Sequence, residues 1–198
     1  MKIVLGTHNK HKVQEIEEIL PDSIVCECLS DIGFLMDLEE SGNTFQANAI
    51  QKVKQLEPFF ADRICISEDS GLEVAGLGGE PGVFSARYAG SQRNDHENVK
   101  KLLQKLEGET DRSATFTTVI ALLVKGETHI FEGRCNGDIS LISKGENGFG
   151  YDPVFIPKGS TLTFAEMSGS QKNLYSHRAK ALEKLKIFLL ENNFLHLP

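Results

Sequence analysis

The stretch ATFTTVIALLVKGETHIFEGRCNGDI, Ala114 to Ile139, decides the fold class. Ala114–Val124 and Thr128–Ile139 are two long strand-like runs, and Lys125-Gly126-Glu127 between them spells a hairpin turn. A hairpin makes its strands antiparallel. The N-terminal third reads differently. Lys2–Gly6 is a β-branched run ended by glycine. Val13, Ile16, Ile19 and Leu20 then recur at helical spacing before Pro21, and Ile24–Leu29 is a second strand. Helices alternating with strands, joined to a central hairpin, predict an α/β protein with a mixed sheet.

The remaining elements fit that frame. Phe45, Ala49, Val53 and Leu56 mark a helix ending at Pro58; Ile64–Ser67 reads as a short strand leading into Glu68-Asp69-Ser70-Gly71. Val99, Leu102, Leu103 and Leu106 form an amphipathic helix stopped at Gly108. Pro153–Pro157 is a further strand. Lys172 with Ser176-His177-Arg178 opens a last helix marked by Leu182, Leu185, Phe188 and Leu189.

The 198 residues suit one domain, 1–198, and 40% apolar with 25% charged residues is globular composition. Twenty-eight acids against 21 bases give a net charge of −7, which argues against a nucleic-acid binder. No apolar run is long enough to span a bilayer, and Ile3-Val4-Leu5 is too short for a signal sequence, so a cytoplasmic protein without a membrane partner is expected. Cys26, Cys28, Cys65 and Cys135 show no metal or disulfide spacing and are expected reduced.

Several polar segments could carry chemistry. Thr7-His8-Asn9-Lys10-His11-Lys12 lies at a strand-to-helix turn, where free N–H groups and the helix dipole favour phosphate; taken alone it reads rather as a plain helix cap with solvated lysines. Acids at Asp37, Glu39, Glu40 and Asp69 could hold a hard cation, which needs one or two carboxylates beside substrate phosphates, or could form a surface loop and an Asp-Ser-Gly turn. The glycines around Gly78-Gly79-Glu80-Pro81-Gly82 read as architecture. Phe149-Gly150-Tyr151-Asp152 offers a ring to stack on a flat base, or a core Phe in a turn. Lys172, His177 and Arg178 gather donors.

In order, Thr7–Lys12, Thr44-Phe45 with Asn48-Ala49 and Lys52, Asp69-Ser70-Gly71-Leu72, Gly78–Gly82 with Ser85–Tyr88, Gly148–Pro153 and Ser176–Arg178 resemble the inosine triphosphate pyrophosphatase family. The resemblance runs from residue 7 to 178. Two positions depart from it: Ala47 stands where the family has Glu, and Glu68 where it has Asp.

The resemblance implies an elongated α/β molecule with a long mixed sheet, helices around it and two lobes flanking a cleft, working as a homodimer. It implies hydrolysis of the non-canonical purine triphosphates ITP, dITP and XTP to monophosphate and pyrophosphate. Thr7, His8, Asn9, Lys10, His11, Lys12 and Lys52 would then meet the triphosphate. Glu39, Glu40 and Asp69 would hold Mg²⁺, with Asp69 as general base. Phe149 would stack on the base, with Gly150 and Tyr151 in the same loop and Ser70 and Asp152 near the nucleotide. Lys172, His177 and Arg178 would donate to the 6-oxygen that adenine lacks. A pyrophosphatase of pyrimidine or methylated nucleotides, and an inactive nucleotide-binding sensor suggested by Ala47, are the competing readings.

Overall fold

The computed structural model describes residues 1–194. Six strands form one sheet: β1 (Lys2–Leu5), β2 (Val25–Cys28), β3 (Ile64–Val74), β4 (Ser113–Val124), β5 (Glu127–Ile139) and β6 (Phe155–Pro157), in the order β2-β1-β3-β4-β5-β6. β1 runs parallel to β2, with Leu5 opposite Cys28, and to β3, with Leu5 opposite Ile66. β5 and β6 are antiparallel, with Ile139 opposite Phe155. The sheet is mixed, as the hairpin implied. Lys125 and Gly126 both have positive φ, 52° and 78°, which matches the right-handed twist of the flanking strands.

The helices are α1 (Lys10–Ile19), α2 (Phe45–Leu56), α3 (Asp95–Lys105), α4 (Gly169–Asn173) and α5 (His177–Glu191). α1, α2 and α3 each begin on a side-chain cap: Asn9, Thr44 and Asn94 accept from backbone N–H groups of the first turn.

Three readings change. The strand expected to stop at Ser67 continues through Glu68-Asp69-Ser70-Gly71 to Val74. Leu72 and Val74 are fully buried, and β3 lies between β1 and β4, so pairing and burial override the turn preference of Asp-Ser-Gly. Lys172 does not open the last helix. It lies on α4, whose Ser168 and Gln171 form a capping box, and α5 starts at His177. The strand expected over Pro153–Pro157 begins only at Phe155, because Val154 and Phe155 turn back to donate to the Tyr151 carbonyl.

The chain divides into two compact units. Unit 1 comprises residues 1–69, 118–133 and the chain from Arg178; unit 2 comprises Ser70–Thr117 and Arg134–His177. β3, β4 and β5 each contribute residues to both. Unit 1 has a core of Ile3, Leu5, Ile16, Ile66, Ile120, Leu122, Leu182 and Leu185. Unit 2 has another, of Leu72, Val74, Leu102, Phe116, Val154, Phe155 and Phe164. Burying each such side chain contributes about 1.5–3 kcal/mol, which makes these clusters the scaffold for the polar groups beside them. Among the described residues no helix is long and apolar enough to cross a membrane.

Candidate active site

Unit 1 carries most of the charged candidates. At the end of β1, Gly6 comes so close to Leu56, Ser67 and the Ile66 carbonyl that a Cβ there would stand 3.0–3.2 Å from each. The chain then turns: Thr7 Oγ1 accepts from Asn9 N at 3.1 Å, and Asn9 Oδ1 accepts from His11 N at 3.0 Å and Lys12 N at 3.2 Å. Asn9 thus serves as the cap of α1. His8, Lys10 and His11 are exposed. Lys12 points inward, its Nζ 2.9 Å from Glu68 Oε1.

β3 presents two successive carboxylates to different neighbours, as strand alternation requires. Glu68 is buried against α1 and α5. Arg178 grips it with Nε to Oε2 at 2.8 Å and Nη2 to Oε1 at 2.9 Å, and Arg178 Nη1 reaches Glu15. Burial would raise the Glu68 carboxyl, but Arg178 and Lys12 outweigh it and hold it far below its ordinary range. Burial would likewise lower Arg178; Glu68 and Glu15 outweigh that and raise it.

Asp69 faces α2 instead. Asn48 Nδ2 donates to Asp69 Oδ2 at 2.9 Å, and Lys52 Nζ lies 4.0 Å from Oδ1. Here burial wins: the Asp69 carboxyl is raised, against the opposing pull of Lys52, Lys12 and Asn48 and with some help from Glu40. Lys52 Nζ also donates to Glu40 Oε1 at 2.5 Å and to the Glu68 carbonyl at 2.6 Å. One ammonium therefore ties Glu40 to Asp69. Glu39 is exposed and is held through its backbone by Gln55.

The Mg²⁺ expectation can be compared with these donors. Among the described residues no group of three or more His, Cys, Asp or Glu could hold a metal unaided. Mg²⁺ needs less: one or two carboxylates, with waters and substrate phosphates completing its shell. Glu40 and Asp69, already gathered around one cation, fit that requirement.

Unit 2 carries the aromatic candidates. Lys172 Nζ donates to Asp152 Oδ2 at 2.6 Å, both side chains being buried, and Phe149 N donates to the same oxygen at 2.9 Å. Gly148 must be glycine, since a Cβ would lie 2.0 Å from that carboxylate. Phe149 is half-buried with Lys172 Nζ 5.2 Å from its ring centre, a cation–π distance. Gly150 N donates to Asp95 at 2.7 Å. Tyr151 is buried and its hydroxyl donates to the Ser85 carbonyl at 2.9 Å; burial raises that phenol. His177 is buried and stacked on Phe116, rings 4.6 Å apart and 6° from parallel. Ser70 is half-buried at the start of this unit.

The candidates thus gather in two sets. Lys12, Glu40, Lys52, Asp69 and Arg178 lie in unit 1, while Phe149, Asp152, Lys172 and His177 lie in unit 2. Of the expected donor trio, Lys172 and His177 belong to unit 2 and the next residue, Arg178, to unit 1. Sequence reasoning placed Asn48 in a motif without a role, and left out Glu15 and the anchoring role of Glu68. Asn48 had a signal, since it lies four residues before Lys52 on the same helix face. Glu15 had none.

The fold is mixed α/β with buried carboxylate–lysine pairs beside its sheet, and whole-chain comparison specifies the family. The chain belongs to the Ham1 family, whose model matches residues 3–188. It is 44% identical over 189 residues to the dITP/XTP pyrophosphatase of Christiangramia forsetii, covering 96% of this chain and 99% of that protein. It is 44% identical over 190 residues to the dITP/XTP pyrophosphatase of Bacillus subtilis, covering 94% and 96%. Its structure matches the Staphylococcus aureus Ham1 protein with a TM-score of 0.87 at 40% identity, covering 97% of this chain and 100% of the other.

Proposed function

We propose that this protein hydrolyses non-canonical purine nucleoside triphosphates, ITP, dITP and XTP, to the monophosphate and pyrophosphate. The observation that carries the reading is Asp69: a buried carboxylate, oriented by Asn48, beside a lysine that also binds Glu40. A raised carboxyl holds a proton more readily than an ordinary one, which suits a general base.

In this reading Asp69 takes a proton from the attacking water. The water oxygen bonds to the α-phosphorus, the bond from that phosphorus to the bridging oxygen breaks, and pyrophosphate departs with the electron pair. Lys12 and Lys52 neutralise charge growing on the leaving group. The turn Thr7–Lys12 would meet the phosphates with its side chains, since the N–H groups of Asn9, His11 and Lys12 already bond to Thr7 Oγ1 and Asn9 Oδ1. Glu40 and Asp69 would hold Mg²⁺, which when bound supplies charge neutralisation at the phosphates and a more acidic water. On the base side Phe149 offers its ring, and Lys172 and His177 offer donors suited to a 6-oxo purine. Arg178 enters as the partner that fixes Glu68. The working state implied by the resemblance is a cytoplasmic homodimer.

The test is pyrophosphate release from ITP, dITP, XTP, ATP, GTP, UTP and dTTP with Mg²⁺ and with EDTA. The 6-oxo non-canonical purines should lead, and EDTA should stop the reaction. Faster cleavage of UTP or dTTP overturns the reading, and ITP binding without pyrophosphate release favours the inactive sensor.

A further inference from the structure

The loop that carries Glu40 is fastened to α2 by four side chains, and to two of them, Gln51 and Gln55, the reaction assigns no role. Gln55 Oε1 accepts from Glu39 N at 2.9 Å, and its Nε2 donates to the Glu39 carbonyl at 3.1 Å. Lys52 takes the next residue, Glu40, by its carboxylate. Gln51 takes the third: its Oε1 accepts from Ser41 N at 3.0 Å and its Nε2 donates to Ser41 Oγ at 3.0 Å. Asn48 takes the fourth, accepting from Gly42 N at 2.7 Å while its Nδ2 holds Asp69. Positions 48, 51, 52 and 55 form one stripe of the helix. Four consecutive loop residues are thus fastened to it in order. The spacing is close: a Cβ on Gly42 would lie 2.8 Å from Ala47 Cβ.

We propose that Gln51 and Gln55 are positioning residues that preset Glu40 beside Asp69 before nucleotide or cation arrives. Asn48 is the buried inner end of the same clasp, 1% exposed, and links the loop directly to Asp69. The chemistry favours this role. A glutamine offers both an acceptor and a donor, so Gln55 holds both the N–H and the carbonyl of Glu39, as a neighbouring strand would. Loop entropy lost in advance is not lost again on binding, so a preset loop strengthens the nucleotide complex without altering the chemical step. The proposal rests on the hydrolytic reading above.

The experiment combines two readouts on the whole protein with Gln51→Ala, Gln55→Ala and the double variant. The first is residue-resolved amide hydrogen exchange without nucleotide or divalent cation. Exchange should quicken at Ser41 in Gln51→Ala and at Glu39 in Gln55→Ala, each by roughly three- to tenfold, the worth of one net hydrogen bond. The second is pyrophosphate release from ITP with Mg²⁺. KM should rise by a similar factor, roughly three- to tenfold per variant, with kcat within about twofold of wild type. Lys54→Ala, on the exposed side of α2, should move neither readout.

Unchanged exchange at both amides overturns the proposal, because the clasp then does not order the loop. Quickened exchange with unchanged KM also overturns it, because the order then does not serve binding. If wild-type protein releases no pyrophosphate from ITP, the functional reading fails first and the catalytic half of this proposal falls with it. An active wild type with unmoved variants sinks the proposal alone.

Discussion

Glu68 and Asp69 are neighbours on one strand, yet the two faces of β3 treat them in opposite ways. Behind Glu68 stand Arg178 and Lys12, two full positive charges within 3 Å, and its carboxyl is driven down. Around Asp69 stand an amide at 2.9 Å and an ammonium at 4.0 Å that Glu40 shares, and its carboxyl is driven up. The first carboxylate is saturated with fixed partners and acts as an anchor. For the second, the penalty of burial outweighs the pull of its neighbours, which favours uptake of a proton. The difference separates stability from chemistry along a single strand.

The largest effect should come from the reactive face. Asp69→Asn keeps the size and can keep the bond from Asn48 but removes the base, and kcat should fall by about 10²–10⁴. The fold should persist. Because burial penalises the Asp69 charge, the variant's urea midpoint at pH 7 should equal or exceed that of wild type. Turnover near the wild-type rate would remove Asp69 from its role and dissolve the comparison.

The anchoring face should answer in stability. Arg178→Met takes the two-pronged guanidinium partner from buried Glu68, and losing one partner of a buried pair costs about 3–5 kcal/mol. Equilibrium unfolding in urea measures it. Adding Glu68→Met to the same chain removes the stranded charge and should recover much of the loss. A single-variant loss below about 1 kcal/mol would mean that the pair behaves as a surface ion pair.

Acid sharpens the same contrast. The lowered carboxyl of Glu68 gives stability that is fully present above its ordinary value of 4.5 and is lost as pH falls below it toward the folded-state value. Asp69, raised, has the opposite sign: its charge is a cost that protonation relieves as pH falls through the raised range. Wild-type protein should therefore lose stability below pH 4.5 more steeply than Glu68→Gln, and urea midpoints across that range would show it. Parallel curves for the two proteins would end the claim that Glu68 is the anchor.

Much of this was legible in the sequence and some was not, for reasons that attach to particular residues. The hairpin at Lys125-Gly126 and the helices ending before Pro21 and Pro58 depend on local chemistry, and local chemistry is written locally. The continuation of β3 through Asp69 is not, because its cause lies in the strands on either side. Arg178 shows the limit most plainly. Its donors were visible, but the acids that hold them lie 110 and 163 residues away in sequence, so no local pattern could show that Glu68 and Glu15 engage them. Asn48 sits between these cases: its helix face was readable, whereas its bond to a carboxylate on β3 needed the fold.

The smallest effect tests whether the reactive face depends on how its helix begins. Thr44 caps α2 by accepting from Ala47 N at 3.1 Å, one residue before Asn48. Thr44→Ala should cost about 1 kcal/mol of stability, an ordinary cap loss, and Thr44→Ser should restore it. Stability alone does not distinguish this cap from that of α1. Kinetics do, because fraying the first turn of α2 loosens Asn48, and Asn48 is what orients Asp69. At a temperature where both proteins are fully folded, Thr44→Ala should lower kcat by roughly two- to fivefold, a few tenths to one kcal/mol of lost orientation, and Thr44→Ser should return it. A loss of stability with wholly unchanged kcat would show that Asp69 is held by burial alone, and Asn48 would then be a core residue like its neighbour Ala49.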